Sequence, residues 1–259
     1  MTYETLHFEQ SGSIARITLN RPEAANGMND VMTRELAQVA AEVDAPGTKV
    51  VVLTGAGRFF CAGGDLKAMA ASPLGPGRFV RGIANDLHRA IATFARMDAV
   101  LITAVNGTAA GAGFSLGISG DLVVAAKSAS FTMAYTKVGL SPDGSASYYL
   151  PRLVGARRAA DLMLTNRRLS ADEAQDWGLV NYVVDDAEFT ARVDGLAAEI
   201  ASGSAQSAAA VKKLLAVSFG NGIESQMELE SRFIAANADG PGGREGIDAF
   251  LNKRAPQFD

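Results

Sequence analysis

A chain of 259 residues is long enough to bury one substantial core. With 48% apolar and 20% charged residues it has the balance of a soluble globular protein, and no apolar run approaches the ~18–20 residues that a membrane span needs. A net charge of −4 excludes the basic excess usual in nucleic-acid binders, so any polyanionic ligand must be met by local bases or helix N-termini.

Residues 1–10 carry acids and lack an apolar h-region, so no signal peptide is expected. Residues 6–10 and 14–20 alternate apolar and polar positions around Ser11-Gly12-Ser13, which predicts a hairpin. Asn29 or Asp30 can cap a helix running to about Val43, with Val31, Met32, Leu36, Val39, Ala40 and Val43 at helical spacing. Residues 50–53 are a β-branched run that predicts a buried strand, followed by a glycine-rich stretch over 55–65. The lone cysteine, Cys61, lies in that stretch. It allows no internal disulfide and fits a cytoplasmic, reducing compartment.

Residues 68–79 read as a variable loop, and 82–97 as a helix. A strand over 100–105 leads into more glycines over 107–117, and another strand covers 122–125. From Ala156 the pattern is largely helical. Ser170 and Glu173 have capping-box spacing, residues 180–184 read as a short strand, and helices follow over 189–200, 205–219 and 223–238. Gly240-Pro241-Gly242-Gly243 should break the chain before a last helix ending near Lys253. Strands alternating with helices predict an α/β core with a parallel sheet over residues 1–185, and 186–259 form a helical C-terminal region of the same folding unit.

Twice a buried strand runs into small residues before a helix: Phe60-Cys61-Ala62-Gly63-Gly64-Asp65 and Asn106-Gly107-Thr108-Ala109-Ala110-Gly111-Ala112-Gly113. Small side chains leave the N–H groups at a helix start open to a ligand oxygen. Two such turns facing each other could hold one enolate oxygen between them, each donor being worth about 3 kcal/mol in such a site. A nucleotide-binding fingerprint fits poorly. In Gly111-x-Gly113 followed by Gly117 the third glycine is one residue late, and no acid stands about 20 positions on.

The chain resembles the crotonase, or enoyl-CoA hydratase/isomerase, superfamily. The resemblance rests on Leu19-Asn20-Arg21-Pro22, Ala62-Gly63-Gly64-Asp65, Asn106-Gly107, residues 139–143, Leu169-Ser170-Ala171 with Gly178-Leu179-Val180, and the closing Arg244-Glu245-Gly246 and Ala249-Phe250-Leu251 with Lys253-Arg254. It implies a spiral of ββα units with a C-terminal helical trimerisation region, and a homotrimer or dimer of trimers. It also implies an acyl-CoA thioester as substrate, with no further cofactor, no metal, no nucleic acid and no membrane. By position the oxyanion donors are the N–H groups of Gly64 and Ala112, where family members usually have glycine at the latter. Arg21, Ala62, Lys67, Phe250 and Lys253 are then candidate CoA contacts.

Hydratases of the family use two glutamates, and Ser115 and Tyr135 stand at those positions. Between residues 107 and 160 only Asp121 and Asp143 are acidic. Asp121 reads as a strand-edge or turn residue. Pro142-Asp143-Gly144 is locally an ordinary turn, yet by resemblance Asp143 falls where several branches place a catalytic aspartate. The phenylacetate-pathway branch, with its enoyl-CoA and ring-epoxide isomerases, matches in lacking both glutamates. That predicts an isomerase in which Asp143 moves a proton, Gly64 and Ala112 hold the dienolate oxygen, and Ser115, Tyr135, Ser141 and His88 line the acyl pocket. Aryl-CoA dehalogenases resemble the chain too, with a nucleophile at Asp143 and a base at His88, but they carry tryptophan at Tyr135 and phenylalanine at Gly64. A hydratase and a non-catalytic acyl-CoA-binding paralogue are the remaining alternatives.

Overall fold

A computed structural model describes residues 2–258. The alternating segments form the expected antiparallel hairpin, β1 (Leu6–Ser11) with β2 (Ile14–Leu19). α1 (Asp30–Val43) follows, capped by Asn29, whose side chain accepts the Met32 N–H at 2.9 Å. Its apolar stripe, Met32, Leu36, Val39, Ala40 and Val43, is fully buried.

The chain then repeats one unit: a long strand, a short strand and a helical segment. The first turn is β3 (Val50–Gly55), β4 (Phe59–Cys61), then α2 (Leu66–Ala71) and α3 (Pro76–Arg96). The second is β5 (Val100–Val105), β6 (Thr108–Ala110) and α4 (Ala112–Gly117). The third is β7 (Leu122–Ala126), β8 (Ser130–Thr132) and α5 (Ala146–Thr165). β9 (Leu169–Ser170), α6 (Ala171–Asp176) and β10 (Tyr182–Val184) close the spiral. The long strands build a six-stranded sheet in the order β1-β2-β3-β5-β7-β10, parallel from β2 on, and the short ones a second sheet, β4-β6-β8-β9. The remaining residues form α7 (Phe189–Ala201), α8 (Ala205–Ser218), α9 (Ile223–Asp239) and α10 (Pro241–Leu251).

Both faces of the large sheet are buried, so its central strands read as continuous apolar runs. Val51, Leu53, Leu101 and Val105 face a core shared with α1 and α3. Val50, Val52, Ile102 and Ala104 face Phe189, Val193, Leu196 and Ala197 of α7. No helix among the described residues is long and apolar enough to cross a membrane.

Several elements differ from the expectation. β4 and β6 lie inside stretches that read only as glycine-rich, and β8 in a stretch given no element, because three-residue strands are too short to show a period. The expected loop over 68–79 is largely helical: Asp65 accepts the Lys67 and Ala68 N–H groups to start α2, and Pro76 supplies the first residue of α3. α5 begins ten residues before Ala156, at Ala146, and is kinked at Gly155 (φ 80°). Gly240 and Pro241 do end α9, but Gly242 and Gly243 belong to the first turn of α10. The capping box at Ser170 and Glu173 is present as predicted.

α8 is fastened to the spiral by one buried cation. Lys212 Nζ donates to the carbonyls of Phe94 (2.6 Å) and Ala99 (2.9 Å) and pairs with Asp121 at 2.7 Å. Asp121 in turn accepts the Leu101 N–H at 2.8 Å, so it is a structural anchor. Loss of the buried ammonium leaves the Phe94 and Ala99 carbonyls without their donor, so Lys212→Met is expected to lower the unfolding free energy by about 1–3 kcal/mol in urea titration.

Candidate active site

The two glycine-rich turns meet backbone to backbone. Gly63 (φ 99°) has no room for a Cβ, which would lie 2.9 Å from the Ala110 carbonyl oxygen and 3.4 Å from the Ala112 nitrogen. A Cβ on Gly113 would lie 2.2 Å from the Cys61 carbonyl oxygen. Glycine at these two positions is therefore a packing requirement. The first turn is tied down on its far side: Met28 N–H donates to Gly63 O at 2.7 Å, Asp65 N–H to Met28 O at 2.9 Å, and Ala62 N–H to Ala25 O at 3.0 Å.

Among the described residues, the Gly64 N–H has no acceptor within the protein, and neither has the Ala112 N–H, the first amide of α4. Gly64 looks onto open space, its nearest side-chain neighbour being Ile83 of α3 at 3.9 Å from a Cβ position. Two unengaged amides thus stand on adjoining turns, one at a helix start, as a developing oxyanion requires.

A second cluster gathers residues far apart in sequence. Ser115, buried on α4, lies with its Oγ 3.1 Å from the Tyr135 Oη, and Tyr135 donates to Asp143 Oδ1 at 2.6 Å. The phenol has one proton and gives it to Asp143, so the Ser115 hydroxyl is the donor to Tyr135. Burial, then the Asp143 charge and hydrogen bond, push the Tyr135 pKa far above its ordinary value, which keeps the phenol protonated. The surrounding backbone is strained: Ala134 (φ 55°) and Ser145 (φ 69°) hold left-handed conformations on either side, each costing about 1–2 kcal/mol. His88, exposed on α3, accepts the Gly144 N–H at Nε2 (3.1 Å) and so props the turn that carries Asp143. Ser141 is exposed on the approach to Pro142 and makes no recorded side-chain bond.

The expected CoA contacts are dispersed. Arg21 is engaged by Asp65, with both terminal nitrogens 3.1 Å from Oδ2, and also by the Gly27 carbonyl. Burial works against the Asp65 carboxylate, but the Ala68 N–H, the Arg21 guanidinium and the Lys67 N–H outweigh it and hold the carboxyl below its usual range. Ala62 and Lys67 are exposed beside Gly64. Phe250 is 83% exposed on α10, and Lys253 is exposed just beyond it, so neither is packed against the two turns within one chain. Cys61 is fully buried, and desolvation pushes its thiol up to about 12, which removes it as a nucleophile.

Two features lay beyond the sequence reading. Tyr135 was expected only to shape a pocket, and its bond to Asp143 could have been suspected from a phenol and an acid sharing one short segment. Asn26 was not singled out from the sequence at all. It is completely buried, and its amide reaches three backbone carbonyls more than 25 residues away.

A family model described as enoyl-CoA hydratase/isomerase matches residues 9–259. The 1,2-epoxyphenylacetyl-CoA isomerase of Escherichia coli (strain K12) is 38% identical over all of this chain and 98% of its own length. The 4-chlorobenzoyl coenzyme A dehalogenase-1 of Arthrobacter sp is 32% identical, covering 95% of this chain and 90% of its own. Among solved structures, an enoyl-CoA hydratase from Polaromonas sp. JS666 superimposes with a TM-score of 0.93 at 32% identity, over 98% of this chain and 99% of that one. The mixed α/β spiral with its helical C-terminus is the crotonase fold, and the chain belongs to the enoyl-CoA hydratase/isomerase family.

Proposed function

We propose that this protein is an enoyl-CoA isomerase, shifting a double bond of an acyl-CoA thioester by a single acid–base residue, Asp143. The observation that carries this reading is the Ser115–Tyr135–Asp143 cluster, which holds one carboxylate among neutral hydroxyls. Water addition across a double bond calls for groups that hold and activate water, and the two positions where hydratases of the family carry glutamates have Ser115 and Tyr135 instead. The other acid of the region, Asp121, is committed to Lys212 and the Leu101 amide.

In this mechanism the thioester oxygen lies between the Gly64 and Ala112 N–H groups. Asp143 takes a proton from the carbon between the carbonyl and the 3,4 double bond, and the electrons move onto the thioester oxygen as a dienolate. The two amides stabilise that charge, by about 3 kcal/mol each. Asp143 then returns the proton at the γ carbon, giving the conjugated 2-enoyl-CoA. Tyr135 fixes the carboxylate through its hydrogen bond, leaving Oδ2 to carry the proton. Arg21, Ala62, Lys67, Phe250 and Lys253 are the proposed contacts to CoA. The exposed apolar side chains of α8 to α10, among them Phe219, Ile234, Phe250 and Leu251, support a homotrimer or a dimer of trimers built through this region.

A ring-epoxide isomerase is the second reading, favoured by the full-length identity to the E. coli 1,2-epoxyphenylacetyl-CoA isomerase. Both place the proton transfer on Asp143, and they separate on substrate. A 3-enoyl-CoA is expected to gain conjugated-thioester absorbance. Turnover of a ring-epoxidised aryl-acetyl-CoA alone would replace the first reading by the second.

Asp143→Asn keeps size and turn preference but cannot accept the proton, so isomerisation should fall about 10²-fold or more while CoA-ester binding persists. Near-normal turnover in that variant would remove Asp143 from the mechanism. Hydration of crotonyl-CoA should be much slower than isomerisation of a 3-enoyl-CoA. Comparable rates in the two absorbance assays would overturn the isomerase reading.

A further inference from the structure

We infer that Asn26 is a positioning residue for the Gly64 N–H, an inference that rests on the oxyanion role proposed for that amide. The segment 21–28 lies against the 61–65 turn as a mould. Its own backbone meets the turn at four points: Ala25 O accepts the Ala62 N–H (3.0 Å), Asn26 O accepts the Cys61 thiol (3.0 Å), Met28 N–H donates to Gly63 O (2.7 Å), and Met28 O accepts the Asp65 N–H (2.9 Å). Every one of these bonds engages a neighbour of Gly64 and none engages the Gly64 N–H. The mould thus fixes where that amide points and leaves it open.

Asn26 fixes the mould itself. It is fully buried and sits at φ 54°, a left-handed conformation that asparagine tolerates better than most residues. Its Oδ1 accepts the Arg21 N–H at 2.9 Å. Its Nδ2 faces the carbonyls of Ala56 (2.9 Å), Phe59 (2.8 Å) and Phe60 (3.2 Å). One side chain therefore joins the start of the mould to the β3–β4 connection at Ala56 and to β4 itself, from which the turn emerges directly after Cys61. An amide is the side chain that does this, because it offers one acceptor to an N–H and two hydrogens to carbonyls. Arg21 adds an outer clasp through Asp65 and the Gly27 carbonyl.

The test separates carbonyl polarisation from general binding. Wild type, Asn26→Gly and Asp65→Asn are each titrated with a 2,4-dienoyl-CoA, whose conjugated thioester shifts to the red when donors polarise its carbonyl, and with an S-alkyl-CoA thioether that has no carbonyl. Glycine suits the left-handed backbone at residue 26, so the first variant loses the side chain without adding strain there. The expected result is a red shift in wild type that largely disappears in Asn26→Gly. Its kcat should drop about 10²-fold while thioether affinity stays within about threefold, because a donor displaced by a fraction of an ångström no longer meets the developing charge. Asp65→Asn, which keeps a capping oxygen for α2 but removes the charge that holds Arg21, should give a smaller loss of the same kind, and it decides the matter by the same readings if circular dichroism shows Asn26→Gly unfolded. A full red shift and normal kcat in the folded variants overturn the positioning role. So does an equal loss of thioether binding, which would mark a general collapse of the site. Absence of any shift in wild type overturns the oxyanion role of Gly64 itself, and the positioning role with it.

Discussion

Two lengths of backbone press together at the centre of this protein with no side chain between them. The Gly63 and Gly113 positions admit no Cβ, because the Ala110 and Cys61 carbonyl oxygens occupy the space. Everything that matters chemically hangs on that contact. It brings the strand-to-helix crossing of the first spiral turn against that of the second, and it sets two unengaged amides on adjoining loops. The parallel long strands make this possible by delivering successive turns of the spiral to the same edge, while the short strands β4 and β6 pair to hold the crossings in register.

The Ser115–Tyr135–Asp143 cluster belongs to a different part of the same framework. Ser115 comes from the helix that begins at Ala112, so its hydroxyl and the open Ala112 amide share a rigid element. Tyr135 and Asp143 come from the third crossing, where left-handed Ala134 and Ser145 bend the chain. Such conformations persist only when the surroundings over-determine them. Here the constraints are the Tyr135–Asp143 bond and the Gly144 N–H held by His88. The two open amides and the Asp143 carboxylate are thus anchored by neighbouring turns of one spiral.

Much of this was legible in the sequence, for reasons of period. The hairpin and α1 announced themselves through twofold and helical spacing of their apolar residues, and the long strands through continuous apolar runs. β4, β6 and β8 did not, having three residues each. α3 hid its first turn behind a Gly-Pro pair, which signals a break and here marks a helix start. The glycine turns were visible as composition, but their mutual contact was not, since nothing local in residues 60–65 points to residues 110–113. Asp143 looked like a turn aspartate and gained a chemical role only through family resemblance. Asn26 and the Arg21–Asp65 pair escaped because their partners lie about thirty to forty-four positions along the chain. Long-range hydrogen bonds leave no periodic trace.

The helix directly after Gly64 is the least invested part of this arrangement. α2 buries none of its residues and is held chiefly by the Asp65 cap at its first turn. Substitutions along such an exposed segment usually alter stability by no more than about 0.5 kcal/mol. The donor amide beside it is secured from the opposite direction, by residues 25–28. Residues 68–71, beyond the proposed CoA contact Lys67, can therefore be varied without disturbing the backbone that fixes the Gly64 amide, which makes them a natural place to diversify a library aimed at new acyl groups.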